Sequence, residues 1–277
     1  MGERMIEANG VELCTEAFGD PADPAVLLIA GLGASMLWWE GDFCRALAGQ
    51  GRYVVRYDHR DTGRSIAYAP GQPGYANGDL VADAAGVLDA HGIAAAHVAG
   101  ASAGGAFAQL LALDFPERVR SLVLISTSPA LPGGEELPPP APAFGRFFAT
   151  ATVDRDDPES VIAYVADYAR MLAGPRREFD AALVRRDVER ARDFRAARNH
   201  DAIPDDGRTR APLASIRAPT LVIHGTADPM FPPAHGEALA RRIPGARLLL
   251  LDGAGHGVDR ADHERIVRAI AEHTTRL

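Results

Sequence analysis

The residues Gly100-Ala101-Ser102-Ala103-Gly104 set a serine between two glycines in a G-x-S-x-G pattern. They follow the apolar run 94–99 and lead into the helix-like stretch Ala103 to Leu113. A strand that turns into a helix at a single residue exposes that residue's side chain, and the amide after it faces the same way. Ser102 is therefore a candidate nucleophile. It needs a base to take its proton and a carboxylate to orient that base. His256, in the glycine loop Gly253-Ala254-Gly255-His256-Gly257, is the candidate base. Asp228, in the turn His224-Gly225-Thr226-Ala227-Asp228-Pro229, is the candidate acid. Asp252 competes for that role but lies too close to His256 in sequence to approach the ring from behind. Each feature alone has an ordinary use: the serine pattern arises by chance, a histidine on a glycine loop can sit at the surface, and Asp-Pro is a common turn. Their order, each after a different strand-like run, is what joins them. Ser, then Asp, then His is the order expected when three such residues meet at one edge of an α/β sheet.

Attack by Ser102 on a carbonyl would create an oxyanion that needs N–H donors. The Ala103 amide, at a helix start, is one candidate, because the helix dipole also favours negative charge there. The second should come from Gly31-Leu32-Gly33, the turn after the run 26–30, with the Leu32 amide as the choice. A glycine turn that simply ends a strand would look the same.

The elements that must position these residues are legible as alternating patterns. Half-apolar runs at 4–8 and 11–18 flank Asn9-Gly10, a hairpin signal. Val26–Ile29, Arg52–Tyr57, His97–Gly100, Ser121–Ser126, Thr220–His224 and Arg247–Leu251 read as strands. Those that are apolar without a break are expected to be buried on both faces. Helical stretches at Gly41–Gly49, Gly78–His91, Ala103–Asp114, His235–Arg242 and Asp262–His273 separate them. Strand and helix in alternation predict a mostly parallel central sheet with helices on both faces. The alternation breaks once, after Ser126. Residues 129–212 are expected to form a helical cap, with 1–128 and 213–277 forming the core domain. Tyr164, Val165, Tyr168 and Leu172 would share one helical face there, and the charged stretch 184–198 is expected mostly to face solvent.

Composition removes several classes of function. The net charge of −8 disfavours nucleic acid and anionic membranes as partners. No apolar stretch approaches the ~20 residues that span a bilayer, and no secretory signal is seen. Cys14 and Cys44 have no metal-like spacing and fit a reduced, cytoplasmic protein. All 29 cationic side chains are arginine, which we read as a bacterial, GC-rich origin. The remaining histidines show no ligand pairing, and neither a dinucleotide fingerprint nor a phosphate loop occurs, so no metal or cofactor is expected. Residues 58–65 (DHRDTGRS) read as a buried polar network that shapes the cleft wall. Gly31, Gly33, Trp38, Trp39, Met230, Phe231 and Val258, with Phe144, Phe147 and Phe148 of the cap, are candidate substrate-binding residues; each apolar one could equally be ordinary core.

With those residues in hand, the chain resembles the α/β-hydrolase superfamily over nearly its whole length. The resemblance implies an α/β-hydrolase fold, Ser102 as nucleophile, Asp228 as acid, His256 as base, and Leu32 and Ala103 as oxyanion amides. The runs YDHRDTGRS and FGDPADPAVLL look like the aclacinomycin methylesterase group, which removes a methyl ester from a polyketide glycoside. Three positions depart from common relatives: Ala30 precedes Gly31 where many have histidine, residues 58–61 read DHRD rather than D-x-R-G, and Ala103 replaces Met or Gln. The expectation is a serine esterase acting on a small apolar ester without a cofactor. Lactone opening, C–C bond hydrolysis, cofactor-free perhydrolysis and non-catalytic small-molecule binding stay open, as does the oligomeric state, a homodimer included.

Overall fold

A computed structural model describes residues 2–174 and 180–275. The chain opens with the hairpin β1 (Arg4–Ala8) and β2 (Val11–Phe18), joined at Asn9-Gly10, where both residues take positive φ. Then come β3 (Ala25–Ile29), α1 (Gly41–Ala48), β4 (Tyr53–Tyr57), α2 (Asn77–Ala90), β5 (Ala96–Ala101), α3 (Ala103–Asp114) and β6 (Val119–Ile125). After a segment containing α4 (Pro142–Thr150), α5 (Pro158–Ala173) and α6 (Ala181–Arg190), the alternation resumes. It continues with β7 (Thr220–Gly225), α7 (Ala234–Arg242), β8 (Arg247–Leu251) and α8 (His263–Thr275).

The eight strands form one sheet in the order β1-β2-β4-β3-β5-β6-β7-β8. The β1–β2 and β2–β4 pairs are antiparallel, and every pair from β4–β3 to β7–β8 is parallel. Alternating side chains of β3 supply two cores. Leu27 and Ile29 face the layer that holds Leu80, Val81 and Leu88 of α2. Val26 and Leu28 face the layer with Phe43, Leu47, Ile266 and Ile270 of α1 and α8. A strand covered on both faces has no polar side to show, which explains the unbroken apolar runs.

The segment between β6 and β7 is tied to the carboxyl ends of the strands. The Gly255 and His256 amides donate to the Ala173 and Leu172 carbonyls at the end of α5. Trp38 Nε1–H donates to Asp187 of α6 at 2.9 Å. The charged stretch 184–198, expected mostly in solvent, is split by helical periodicity. Leu183, Val184, Asp187 and Arg190 fall at the spacing of one face. Val184 is fully buried, and Arg190 reaches the buried carboxylate of Asp58 at 2.8 Å. No described helix is long and apolar enough to cross a membrane.

Two buried histidines, His59 and His200, give a pH prediction. Burial holds His59 down to about 4 and His200 down to about 3. Both are neutral in the fold at values where an unfolded histidine, near 6.5, takes a proton. The unfolded state therefore binds more protons below 6.5, and stability falls with pH in that window. Each histidine costs about 1.4 kcal/mol per pH unit between 6.5 and its folded value. Thermal melts at pH 7.5 and pH 5 should show a Tm drop that shrinks in His59→Gln. An equal drop in that variant would remove His59 as a contributor.

Candidate active site

Ser102 occupies the single residue between β5 and α3, with φ 54° and ψ −125°. Positive φ costs an L side chain about 1–3 kcal/mol and persists only where the surroundings enforce it. Here the enforcement is steric. A Cβ on Gly100 would lie 2.1 Å from the Gly104 carbonyl oxygen, and one on Gly104 would lie 2.2 Å from that of Ile29. Only glycines let α3 start this close to β3 and β5. The corner is further pinned by the Ser102 amide donating to Ile125 O at 2.9 Å and by Thr127 Oγ1 donating to Ser102 O at 2.6 Å.

Asp228 follows β7 and His256 follows β8. His256 Nδ1–H donates to Asp228 Oδ2 at 2.9 Å, which leaves Nε2 free to accept a proton. The other carboxylate oxygen, Oδ1, accepts the Met230 and Phe231 amides, each at 2.9 Å. The local Asp-Pro turn and the long-range role therefore coexist on one carboxylate. Burial opposes ionisation of Asp228, but the His256 and Phe231 hydrogen bonds outweigh it and hold the carboxyl below its ordinary value. The ring of Phe231 lies 5.6 Å from that of His256. The Gly257 amide donates to Ser126 Oγ at 3.0 Å, fixing the histidine loop from the β6 side.

Ser102 Oγ makes no hydrogen bond among the described residues. It shares with His256 the wall of one cavity of about 1720 Å³. That exceeds the ~300–1,000 Å³ of ordinary small-molecule sites. Gly31 runs directly against Ser102, its missing Cβ 3.3 Å from Ser102 Cβ. The Leu32 and Ala103 amides make no hydrogen bond among the described residues, and both residues line the cavity. Gly33 lines it too, but its N–H is already taken by His200 Nδ1 at 2.8 Å.

Trp38, Trp39, Met230, Phe231, Val258 and Phe148 line the cavity. Phe144 and Phe147 do not, which corrects their expected place. They pack behind Phe148, with ring centroids 5.0 and 5.4 Å away, and against Tyr168. Phe144, Phe147 and Phe148 fall at the three- and four-residue spacing of one face of α4, and Phe148 is the one of the three that lines the cavity. Tyr164, Val165, Tyr168 and Leu172 of α5 do face it together. Sequence reasoning missed Arg155, Arg195 and Arg198, which bring cationic groups into the same wall; nothing in their spacing marked them. The network at 58–65 is buried as expected except at Arg64, which is exposed, with Arg60 bidentate on Asp83 at 2.7 Å and Asp61 accepting from Tyr75 and Asn199.

The model of the alpha/beta hydrolase fold family matches residues 24–258. The chain belongs to the alpha/beta hydrolase family. This hydrolase is 38% identical over 298 aligned positions to the rhodomycin D methylesterase DauP of Streptomyces sp. (strain C5), covering 99% of this chain and 98% of that one. It is 36% identical, with the same coverage, to the rhodomycin D methylesterase DnrP of Streptomyces peucetius. Among solved structures, the enol-lactonase of Burkholderia xenovorans LB400 superposes with a TM-score of 0.75 at 26% identity, covering 98% of this hydrolase and all of that chain.

Proposed function

We propose that this hydrolase removes a methyl group from the carboxylic ester of a large, mostly apolar, multi-ring acid through an acyl-Ser102 intermediate. Ester hydrolysis follows from the family and from relatives named as methylesterases along nearly their whole length. The observation that carries the catalytic reading is the 2.9 Å His256–Asp228 bond, with His256 lining the same cavity as a serine held at φ 54°. His256 Nε2 takes the Ser102 proton as Oγ attacks the ester carbonyl. The Leu32 and Ala103 amides receive the oxyanion. Imidazolium, stabilised by ionised Asp228, returns the proton to the departing methoxide. Water, deprotonated by the same nitrogen, then releases the acid. Nothing in these steps calls for a cofactor.

Residues 129–212 act as a cap that sets substrate size. The aromatic face of α5 and the small side chain of Ala103 leave room for fused rings beside the oxyanion site. The two buried, free thiols, Cys14 and Cys44, suit a reducing cytoplasm as the place of action. The test is a panel of methyl esters, from methyl acetate to methyl esters of tricyclic and tetracyclic aromatic acids, run beside γ- and δ-lactones, with acid release titrated for every substrate and methanol release measured as well for the esters. We expect kcat/KM to rise at least about 10-fold from the smallest to the polycyclic esters, at ~1–3 kcal/mol of added apolar contact. Faster turnover of the lactones than of every methyl ester would replace this reading with lactone opening.

A further inference from the structure

The oxyanion loop Gly31–Gly33 has little packing of its own to fix it. Leu32 is 48% exposed, and the loop's one internal backbone bond is the long Gly31 O to Ala34 N contact of 3.3 Å. An oxyanion donor is useful only if it is held in place before the reaction, because reorganising it costs the energy it would supply. Two buried histidines hold this loop at its ends. His59 Nε2–H donates to Ala30 O at 3.0 Å on one side of Leu32. On the other, Gly33 N–H donates to His200 Nδ1 at 2.8 Å, while His200 Nε2–H donates to Arg60 O at 2.7 Å. Since Nδ1 accepts, the proton must sit on Nε2. The two rings meet edge to face with centroids 6.1 Å apart.

His200 belongs to the segment between β6 and β7, not to the central sheet, in a 3-10 helix spanning Phe194–Ala202. Its neighbour Asn199 anchors it to the core. Asn199 Nδ2–H donates to Asp61 Oδ2 at 2.9 Å, and Asn199 Oδ1 accepts the Gly71 amide at 2.5 Å. The cap is thereby wired to the loop that carries the proposed oxyanion donor.

We infer that His200 is a positioning residue for the oxyanion site: by accepting the Gly33 N–H, the cap aims the Leu32 amide at the carbonyl that Ser102 attacks. The inference rests on the acyl-Ser102 reading and adds a role for the cap in the chemical step, beyond enclosing substrate. A histidine that merely knitted cap to core would serve equally well through either ring nitrogen. Here the two nitrogens do different work, and two substitutions separate them. The amide oxygen of asparagine can stand where Nδ1 stands and keep the Gly33 bond. The amide nitrogen of glutamine can stand where Nε2 stands and keep the Arg60 bond, but it offers Gly33 no acceptor.

His200→Ala should lower kcat for a methyl ester about 10- to 100-fold, up to the lower end of the loss from removing one oxyanion donor, with KM within about threefold. His200→Asn should recover most of that loss, and His200→Gln should not. Equal kcat for the Asn and Gln variants, or a loss carried by KM, would overturn the inference. A measurement on the wild-type protein decides it even if the variants fold poorly. The Gly33 amide should show hydrogen-exchange protection well above that of Leu32; an unprotected Gly33 amide sinks the idea. Labelling of wild-type Ser102 by a fluorophosphonate keeps the two readings apart. A labelled, active wild type with indistinguishable Asn and Gln variants defeats only the role of His200, whereas an unlabelled, inactive wild type defeats both.

Discussion

Ser102→Ala is expected to lower kcat on a methyl ester by about 10⁴- to 10⁶-fold while leaving the fold intact. The size follows from the chemistry. Without Oγ no acyl-enzyme forms, and what remains is water attack assisted by the two amides and by binding, a residual of about 10³–10⁴ over the uncatalysed reaction. The intact fold follows from the structure. Ser102 Oγ makes no hydrogen bond among the described residues, so its loss strands no partner. The backbone strain at φ 54° is common to serine and alanine and is imposed by Gly100 and Gly104. The measurement is kcat by methanol release, with the thermal midpoint alongside. A variant that keeps a tenth of wild-type kcat would remove Ser102 as the nucleophile.

Asp228→Asn should cost about 10⁴-fold in kcat, for a reason that is geometric as well as electrostatic. In the native site Oδ1 is committed to the Met230 and Phe231 amides, so the atom that faces His256 is Oδ2. An asparagine that keeps the two amide bonds through its oxygen must turn its NH₂ toward His256. That makes Nδ1 an acceptor and drives the imidazole proton to Nε2, the nitrogen that has to take the serine proton. The site would keep its shape and hold the wrong tautomer. His224 lies 3.7 Å from Asp228, but burial lowers its affinity for a proton, it donates to Phe231 O at 2.7 Å and it does not line the cavity, so it offers no replacement base. Asp252→Asn is the control. If it cost as much as Asp228→Asn, the acid would have been assigned to the wrong carboxylate.

Local patterns carried a large share of the fold. The runs Val26–Ile29, Ser121–Ser126 and Thr220–His224 became β3, β6 and β7 within a residue or two. A doubly covered parallel strand must be apolar at every position, and the chain between such strands must return as a helix. Less local features were harder to read. Phe144, Phe147 and Phe148 are alike in type, and only the orientation of α4 decides that Phe148 alone meets the cavity. The charge-rich 184–198 looked solvent-facing because composition says nothing of partners. Asp58, 132 residues before Arg190, is what turns that arginine inward.

What the sequence determined by itself was the corner at Ser102, with the glycines that permit it, and the chain order of Ser102, Asp228 and His256, the candidate nucleophile, acid and base. Both are consequences of short-range sterics and of the topology that alternation imposes. Only the tertiary structure decided which carboxylate meets His256, how large the cavity is, and that His200 meets Gly33 across 167 positions of chain. Those are contacts between elements that have no pattern in common. They exist because loops from several elements meet over the sheet edge, where each buried polar group must find a partner or lose the hydrogen bonds it made with water.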